Sequence, residues 1–180
     1  MTLEEYYDTL CNRGSDINEH LPTLKKYSEE CDHITEMGVR WLVSTFAFLM
    51  GKPKKLVSID IDPIEKWGND ESVLKAIALE NGTDFQFILG DTTQVEIEET
   101  DFLFLDTWHV YQQVKTELEL HAGKVKKYIA FHDTTTFAIN GMDGQPGIWA
   151  AIQEFLDAND EWYLLEKFEN NNGLTILKHK

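Results

Sequence analysis

Apolar residues follow two rhythms along this chain. Near the start, Leu3, Tyr6, Tyr7 and Leu10 recur at three- and four-residue steps, the spacing of one helix face. Residues 12–14 break that pattern. Ser15 or Asp16 then reads as an N-cap, with Glu19 three residues beyond Asp16 completing a capping box for a second helix through Lys25 and Tyr27. Pro22 falls in that helix's first turn, where a missing N–H costs little. From His33 onward the rhythm changes to short apolar runs that end in polar or glycine-bearing loops. They predict strands over 33–37, 56–61, 85–89, 101–106 and 128–132, with helices over 42–50, 71–81, 110–122 and 148–158 between and after them. Strands alternating with helices imply parallel pairing and crossover connections, the doubly wound α/β class. The end differs: 162–168 and 174–178 read as two strands joined by a tight turn at Asn170, Asn171, Asn172 and Gly173, residue types that tolerate positive φ.

Composition narrows the partners. The 180 residues include 32 acidic and 16 Lys+Arg side chains, a formal net charge of −16, and the cations include only two arginines, Arg13 and Arg40. A surface that neutralises phosphates or anionic lipid needs clustered cations, so no nucleic acid and no membrane is expected as partner, and a small molecule is. With 42% hydrophobic residues the chain can bury one substantial core, which excludes intrinsic disorder. Cys11 and Cys31 have no metal-ligand spacing and read as reduced thiols. The acidic start, MTLEEYYDTL, is not that of a signal peptide, and no apolar stretch approaches bilayer length; a cytoplasmic protein is expected. A homodimer is the expected assembly, although no residue pattern in the chain points to one.

In open α/β sheets the ligand sits at the carboxyl ends of the strands. Acids follow all five predicted central strands: Glu36, then Asp60 and Asp62, then Asp91, Asp106 and Asp133. One such acid is ordinarily a turn residue or an N-cap, a reading that stays open for Asp62 and Asp91. Asp60 closes the second strand about twenty residues after a glycine turn on the first, a placement suited to ribose hydroxyls. The turn itself, GVRWLVST, lacks the glycine-rich fingerprint of pyrophosphate binding, which disfavours a dinucleotide.

The runs HITEMGVRWLVSTFAFL, LVSIDID, FILGDTT, FLFLDTWHVYQQVKTELEL, YIAFHDTTTF and GIWAAIQEFL, in that order, resemble the class I S-adenosylmethionine-dependent methyltransferases. More closely, they resemble the branch of cephalosporin-hydroxylase-like and macrocin-type sugar O-methyltransferases. The resemblance implies a Rossmann-like, seven-stranded, mostly parallel sheet with an antiparallel C-terminal hairpin strand and helices on both faces, over residues 32–180, with 1–31 as an N-terminal helical cap. It implies S-adenosylmethionine as cofactor and O-methylation of a small hydroxylated molecule. Glu36 and Gly38 would begin the loop for the methionine part, with Ser44 at its amino-acid end. Asp60 would take the ribose, Ile61 the adenine face, Asp91 and Thr92 the adenine edge, and Asp106 would adjoin the reacting centre. In metal-dependent relatives, the positions of Asp106, His132 and Asp133 hold a divalent ion, Mg2+ or another, which activates the acceptor hydroxyl.

Three departures qualify the resemblance. Relatives often read Asp-Gly-Asp-His after the fourth strand, the second acid serving as base. This chain reads Asp106-Thr107-Trp108-His109, so His109 becomes the candidate base, with Asp106 and Asp133 as its catalytic companions. The alternative, His109 as a helix cap, stays open. Relatives have a second glycine where this chain has Leu42 or Val43, and His132 replaces an acid. The runner-up function is therefore a catalytically degenerate S-adenosylmethionine-binding protein with a regulatory role. Residues 141–147, with three glycines, are a candidate lid; His20 and His121 are expected to be structural, and His179 part of a tail.

Overall fold

A computed structural model describes residues 1–180. Its first helix, α1 (Leu3–Asn12), starts behind a capping box that the sequence reading placed elsewhere: Thr2 Oγ1 accepts from the Glu5 N–H, and the Glu5 carboxylate accepts from the Thr2 N–H. The box expected at Asp16 and Glu19 is not formed. Ser15 Oγ instead accepts the Asn18 N–H at 3.0 Å, just ahead of a short 3-10 turn, Asn18–His20, whose N-cap is Ile17. Glu19 is drawn into long-range contacts with the Asn170–Asn171 turn, donating its N–H to Asn171 Oδ1 and accepting from Asn170 Nδ2. Helix α2 (Leu21–Ser28) begins only after that, with Pro22 in its first turn.

The remainder alternates: β1 (His33–Met37), α3 (Val43–Met50), β2 (Lys55–Asp60), α4 (Glu71–Glu80), β3 (Asp84–Leu89), β4 (Thr100–Leu105), α5 (Tyr111–His121), β5 (Val125–His132), α6 (Trp149–Ala158), β6 (Trp162–Phe168) and β7 (Leu174–His179). β5 starts three residues before its apolar run because Lys126 and Lys127 mask the beginning; they pair across the sheet end with Glu99 and Asp101. His179 is the last residue of β7 and packs edge-on against Trp162, so it is not a loose tail.

The seven strands form one sheet in the order β3-β2-β1-β4-β5-β7-β6, with β7 antiparallel to both neighbours and the other pairs parallel. Side chains alternate between two cores. Phe102 and Phe104 of β4, with Tyr128 and Ala130 of β5, face α1 to α4; Leu103, Leu105, Ile129 and Phe131 face α5 and α6. Burial on both faces explains why these strands read as continuous apolar runs rather than alternating ones. Leu3, Ile17, Leu21 and Leu24 from the N-terminal helices join the same core as Phe48 and Phe102, so residues 1–31 share the interior of the sheet domain. Strand order reverses between β1 and β4, which opens a crevice at their carboxyl ends.

Candidate functional site

Gly38 and Asp106 stand side by side in that crevice. Gly38 has φ +85°, and a Cβ there would lie 2.0 Å from the Asp106 carbonyl oxygen, so only glycine lets the two loops approach this closely. Two chambers open from this point. The larger, about 510 Å³, is walled by Gly38, Asp60, Ile61, Trp67, Asp91 and Thr107, among others. A recess of about 50 Å³ adjoins it, lined by Asp16, Ile17, Trp41, Ser44, His109 and Asp133. Asp106, Gly38, Val39 and Arg40 line both.

The loop after β1 is held in an unusual shape. Arg40 (φ 41°) and Leu42 (φ 65°) both take left-handed backbone conformations that favour glycine. Asp60 holds the first of these: its Oδ2 accepts the Val39 and Arg40 N–H groups at 2.7 and 3.2 Å, while Oδ1 accepts the Asp62 N–H at 2.9 Å. A carboxylate offers about four lone-pair positions, so one remains for a ligand hydroxyl. The second is held by packing, because the Leu42 side chain is buried in the core. Here lies the reason this chain does without the second glycine. Leu42→Gly relieves about 1–2 kcal/mol of backbone strain but removes a buried side chain worth about 2–5 kcal/mol. A net loss of about 1–3 kcal/mol is expected in urea unfolding, and a gain would show that strain dominates.

Glu36 does not line the cleft. Strand alternation turns it toward α3, where it is fully buried and accepts hydrogen bonds from Ser44, Thr45 and Ser58 hydroxyls at 2.5 to 2.8 Å. Burial pushes its carboxyl up to about 7, against the pull of those three donors. It braces the start of α3 against β1 and β2. Ser44 lines the recess, but its hydroxyl is committed to Glu36. Ile61 is an exposed apolar shelf at the larger chamber. Asp91 also lines it, with Oδ1 closing a turn onto Thr93, so it acts as a turn residue as well. Thr92 lines the same wall, while its hydroxyl donates to the buried Glu117 on α5, which also accepts from Thr107 and Gln113. Sequence reading missed Glu117, since one acid within a helix carries no signal of its burial.

At the inner end, four donor atoms gather. His109 Nε2 lies 3.1 Å from Asp106 Oδ1 and 2.8 Å from Asp133 Oδ2; His132 Nδ1 lies 3.4 Å from each of the same two oxygens. His132 is buried beneath the pair, its Nε2 facing the Asp16 and Asn171 carbonyl oxygens at 3.0 and 3.2 Å. His109 approaches from the recess, its ring stacked on Phe137 at 4.9 Å. It is no helix cap. Burial disfavours both imidazolium ions, yet the two carboxylates prevail, raising His109 to about 9 and His132 to about 11. Burial likewise opposes ionisation of Asp106 and Asp133, but the histidines hold both below the usual carboxylate range. Two imidazolium charges thus offset two carboxylates, a balance that one divalent cation with neutral imidazoles would also achieve.

The cluster fits such an ion. Donor atoms of Asp106, His109 and Asp133 lie within 4.8 Å of one another, and His132 Nδ1 and Asp133 Oδ1 are buried without hydrogen-bond partners. His132 Nε2 facing carbonyl oxygens matches the support that ligating histidines usually have. Mixed imidazole and carboxylate donors suit manganese, iron or zinc better than an all-oxygen set would.

Residues 141–147 line neither chamber. They fold back against His109, the Met142 N–H donating to its carbonyl oxygen, and so brace the loop instead of forming a lid. His20 and His121 are buried, beside the Asn170 and Thr92 carbonyl oxygens respectively.

No protein-family model matches this chain, and no curated protein matches it in sequence. Solved structures do. The O-methyltransferase from Bacillus cereus in complex with SAH is 16% identical with a TM-score of 0.69, over 99% of this chain and 90% of that one. A putative caffeoyl-CoA O-methyltransferase from Staphylococcus aureus gives 13% and 0.66, over 90% and 83%. An SAH-bound methyltransferase from Podospora anserina gives 19% and 0.58, over 99% and 87%. At these identities the likeness establishes a shared Rossmann-like fold.

Proposed function

We propose that this protein is an S-adenosylmethionine-dependent O-methyltransferase acting on a small hydroxylated molecule. The observation that carries the reading is Asp106, shared by a cleft of cofactor size and by a recess holding a histidine and a second carboxylate. Neighbouring folds bound to SAH or named as O-methyltransferases support it. In this reading Asp60 accepts a ribose hydroxyl, Ile61 and Trp67 flank the adenine, and Asp91 stands at its edge. The cofactor's sulfonium is a cation, and the Asp106 carboxylate beside Gly38 attracts it.

Methyl transfer asks the protein for in-line positioning and a deprotonated oxygen. The acceptor hydroxyl enters the recess, its oxygen attacks the methyl carbon, and the carbon–sulfur bond breaks to leave a neutral thioether. The hydroxyl proton passes to Nε2 of His109 in its neutral form, whose share grows as pH rises toward about 9, because Asp106 and Asp133 hold the imidazole protonated below that. A divalent ion held by Asp106, Asp133 and His132, whose Nδ1 lies 3.4 Å from an oxygen of each carboxylate, would add Lewis-acid polarisation of that hydroxyl and leave His109 as base, whereas an ion ligated by His109 would take its Nε2 out of that role.

Calorimetric titration with S-adenosylhomocysteine, run with Mg2+, with Mn2+ and with chelator, tests the first half. Micromolar binding is expected; no binding under any of the three conditions would overturn the proposal. Release of S-adenosylhomocysteine over a panel of hydroxylated acceptors tests the second half, and binding without turnover on any of them would favour the degenerate binder.

A further inference from the structure

Arg40 is the one lysine or arginine that lines either chamber. It sits where they meet, beside Asp106, Gly38 and Val39. In a chain of net charge −16, where ten lysines pair with carboxylates, its guanidinium lies within salt-bridge distance of none. Three of the acids around it are otherwise engaged: Asp60 holds backbone amides, and Asp106 and Asp133 hold the two histidines; Asp16, which lines the same recess, makes no ion pair with it. What the guanidinium does touch is the ring of Trp41, with Cζ 5.1 Å from the ring centre. Stacking on an indole orients the guanidinium and leaves its N–H donors free.

The backbone beneath it is strained. A φ of 41° is uncommon for a residue with a side chain, and here two hydrogen bonds to Asp60 sustain it. Glycine would relieve that strain at once, so the exposed side chain has a use that the fold does not supply. An unpaired guanidinium fork at the mouth of an acid-lined recess recognises a planar anion, and a carboxylate fits it with two parallel hydrogen bonds. It also offsets the repulsion that the surrounding carboxylates would impose on such a ligand.

We propose that Arg40 is the carboxylate receptor of this site, and that the acceptor is a hydroxylated carboxylic acid whose anionic group docks there while its hydroxyl enters the recess toward His109. This rests on the methyltransferase reading for its direction, but Arg40 can be tested separately. The same chemistry has a second source, the cofactor's own α-carboxylate, and the experiment separates the two.

Affinities are measured for wild type, Arg40→Ala and Arg40→Lys, with and without S-adenosylhomocysteine. The probes are 3,4-dihydroxybenzoate and salicylate, each beside its neutral amide, together with S-adenosylhomocysteine itself and 5′-methylthioadenosine, which lacks the amino-acid end. Wild type is expected to prefer at least one acid over its amide by about tenfold, equivalent to about 1.4 kcal/mol. Arg40→Ala should abolish the preference and Arg40→Lys should retain part of it, with any change in S-adenosylhomocysteine affinity matched by an equal change for 5′-methylthioadenosine. Neither acid binding more tightly than its amide to wild type would overturn the proposal. So would an Arg40→Ala protein that loses affinity for S-adenosylhomocysteine but not for 5′-methylthioadenosine, because the anchored carboxylate would then be the cofactor's. Failure of wild type to bind S-adenosylhomocysteine at all would count against the methyltransferase reading, while the acid and amide pairs would still report on Arg40.

Discussion

Replacement of His109 by alanine is expected to lower methyl transfer about 10²- to 10⁴-fold, the usual worth of a positioned general base. Affinity for S-adenosylhomocysteine should change less than about threefold, since His109 lines the recess and not the larger chamber. The alanine variant also leaves Asp106 and Asp133 facing each other without the imidazole that now touches both. Lost folding could therefore imitate lost catalysis. His109→Gln separates the two, because an amide N–H still donates to Asp106 while the side chain has no basic nitrogen. Turnover should fall as far in the glutamine variant as in the alanine variant, with thermal unfolding closer to wild type. Retention of more than about a tenth of wild-type turnover by His109→Gln would remove His109 from the base role, since even the weakest general bases contribute more than that.

The second large effect concerns stability. Burial raises the Glu36 carboxyl from 4.5 to about 7, so the native state favours its protonated form. The stabilisation is complete below the unfolded value near 4.5 and is lost as pH rises through the native value near 7. Because the side chain is fully buried, the shift converts with little screening, and wild type should lose about 2–3 kcal/mol from this group between pH 5 and pH 8. Glu36→Gln has no proton to lose. The difference in unfolding free energy between the two proteins should therefore move by about that amount in favour of the glutamine variant as pH rises. Urea titrations at pH 5 and pH 8 read it directly, and parallel pH profiles would show that Glu36 is ionised at both ends. Cofactor affinity should drop in the variant even where stability does not, because Ser44 and Thr45 lose part of the brace that fixes the start of α3.

Much of the architecture was legible before any coordinates. The apolar runs of β1, β2, β3 and β4 give strands with ends displaced by one residue at most, because each run is bounded by polar or glycine-bearing loops. The Asn170 to Gly173 turn also announces itself, with Asn171, Asn172 and Gly173 all at positive φ. The misplaced capping box shows where such reading stops. Asp16 and Glu19 satisfy the local pattern, but Glu19 finds better partners about 150 residues away in the β6–β7 turn, which no local window contains.

The candidate site divides along the same line. Position after a strand identifies Asp60, Asp106 and Asp133 as crevice residues, since topology alone puts strand ends there. It cannot tell Glu36, turned inward by the two-residue alternation of β1 onto three hydroxyls, from Asp106, which lines both chambers of the crevice. Nor can it show that His109, two residues before α5, meets His132 at the same two carboxylate oxygens. Those distances follow from the parallel pairing of β4 with β5.

The sequence by itself determined the class of fold, the acidic crevice and the residue types available for chemistry, because hydrophobic period and strand-end position are local properties of the chain. Tertiary structure alone decided which acids are buried, which hydroxyls are already engaged and which cation faces the crevice. Each of those depends on partners brought together across the sheet, and a buried carboxylate differs from an exposed one only in what surrounds it.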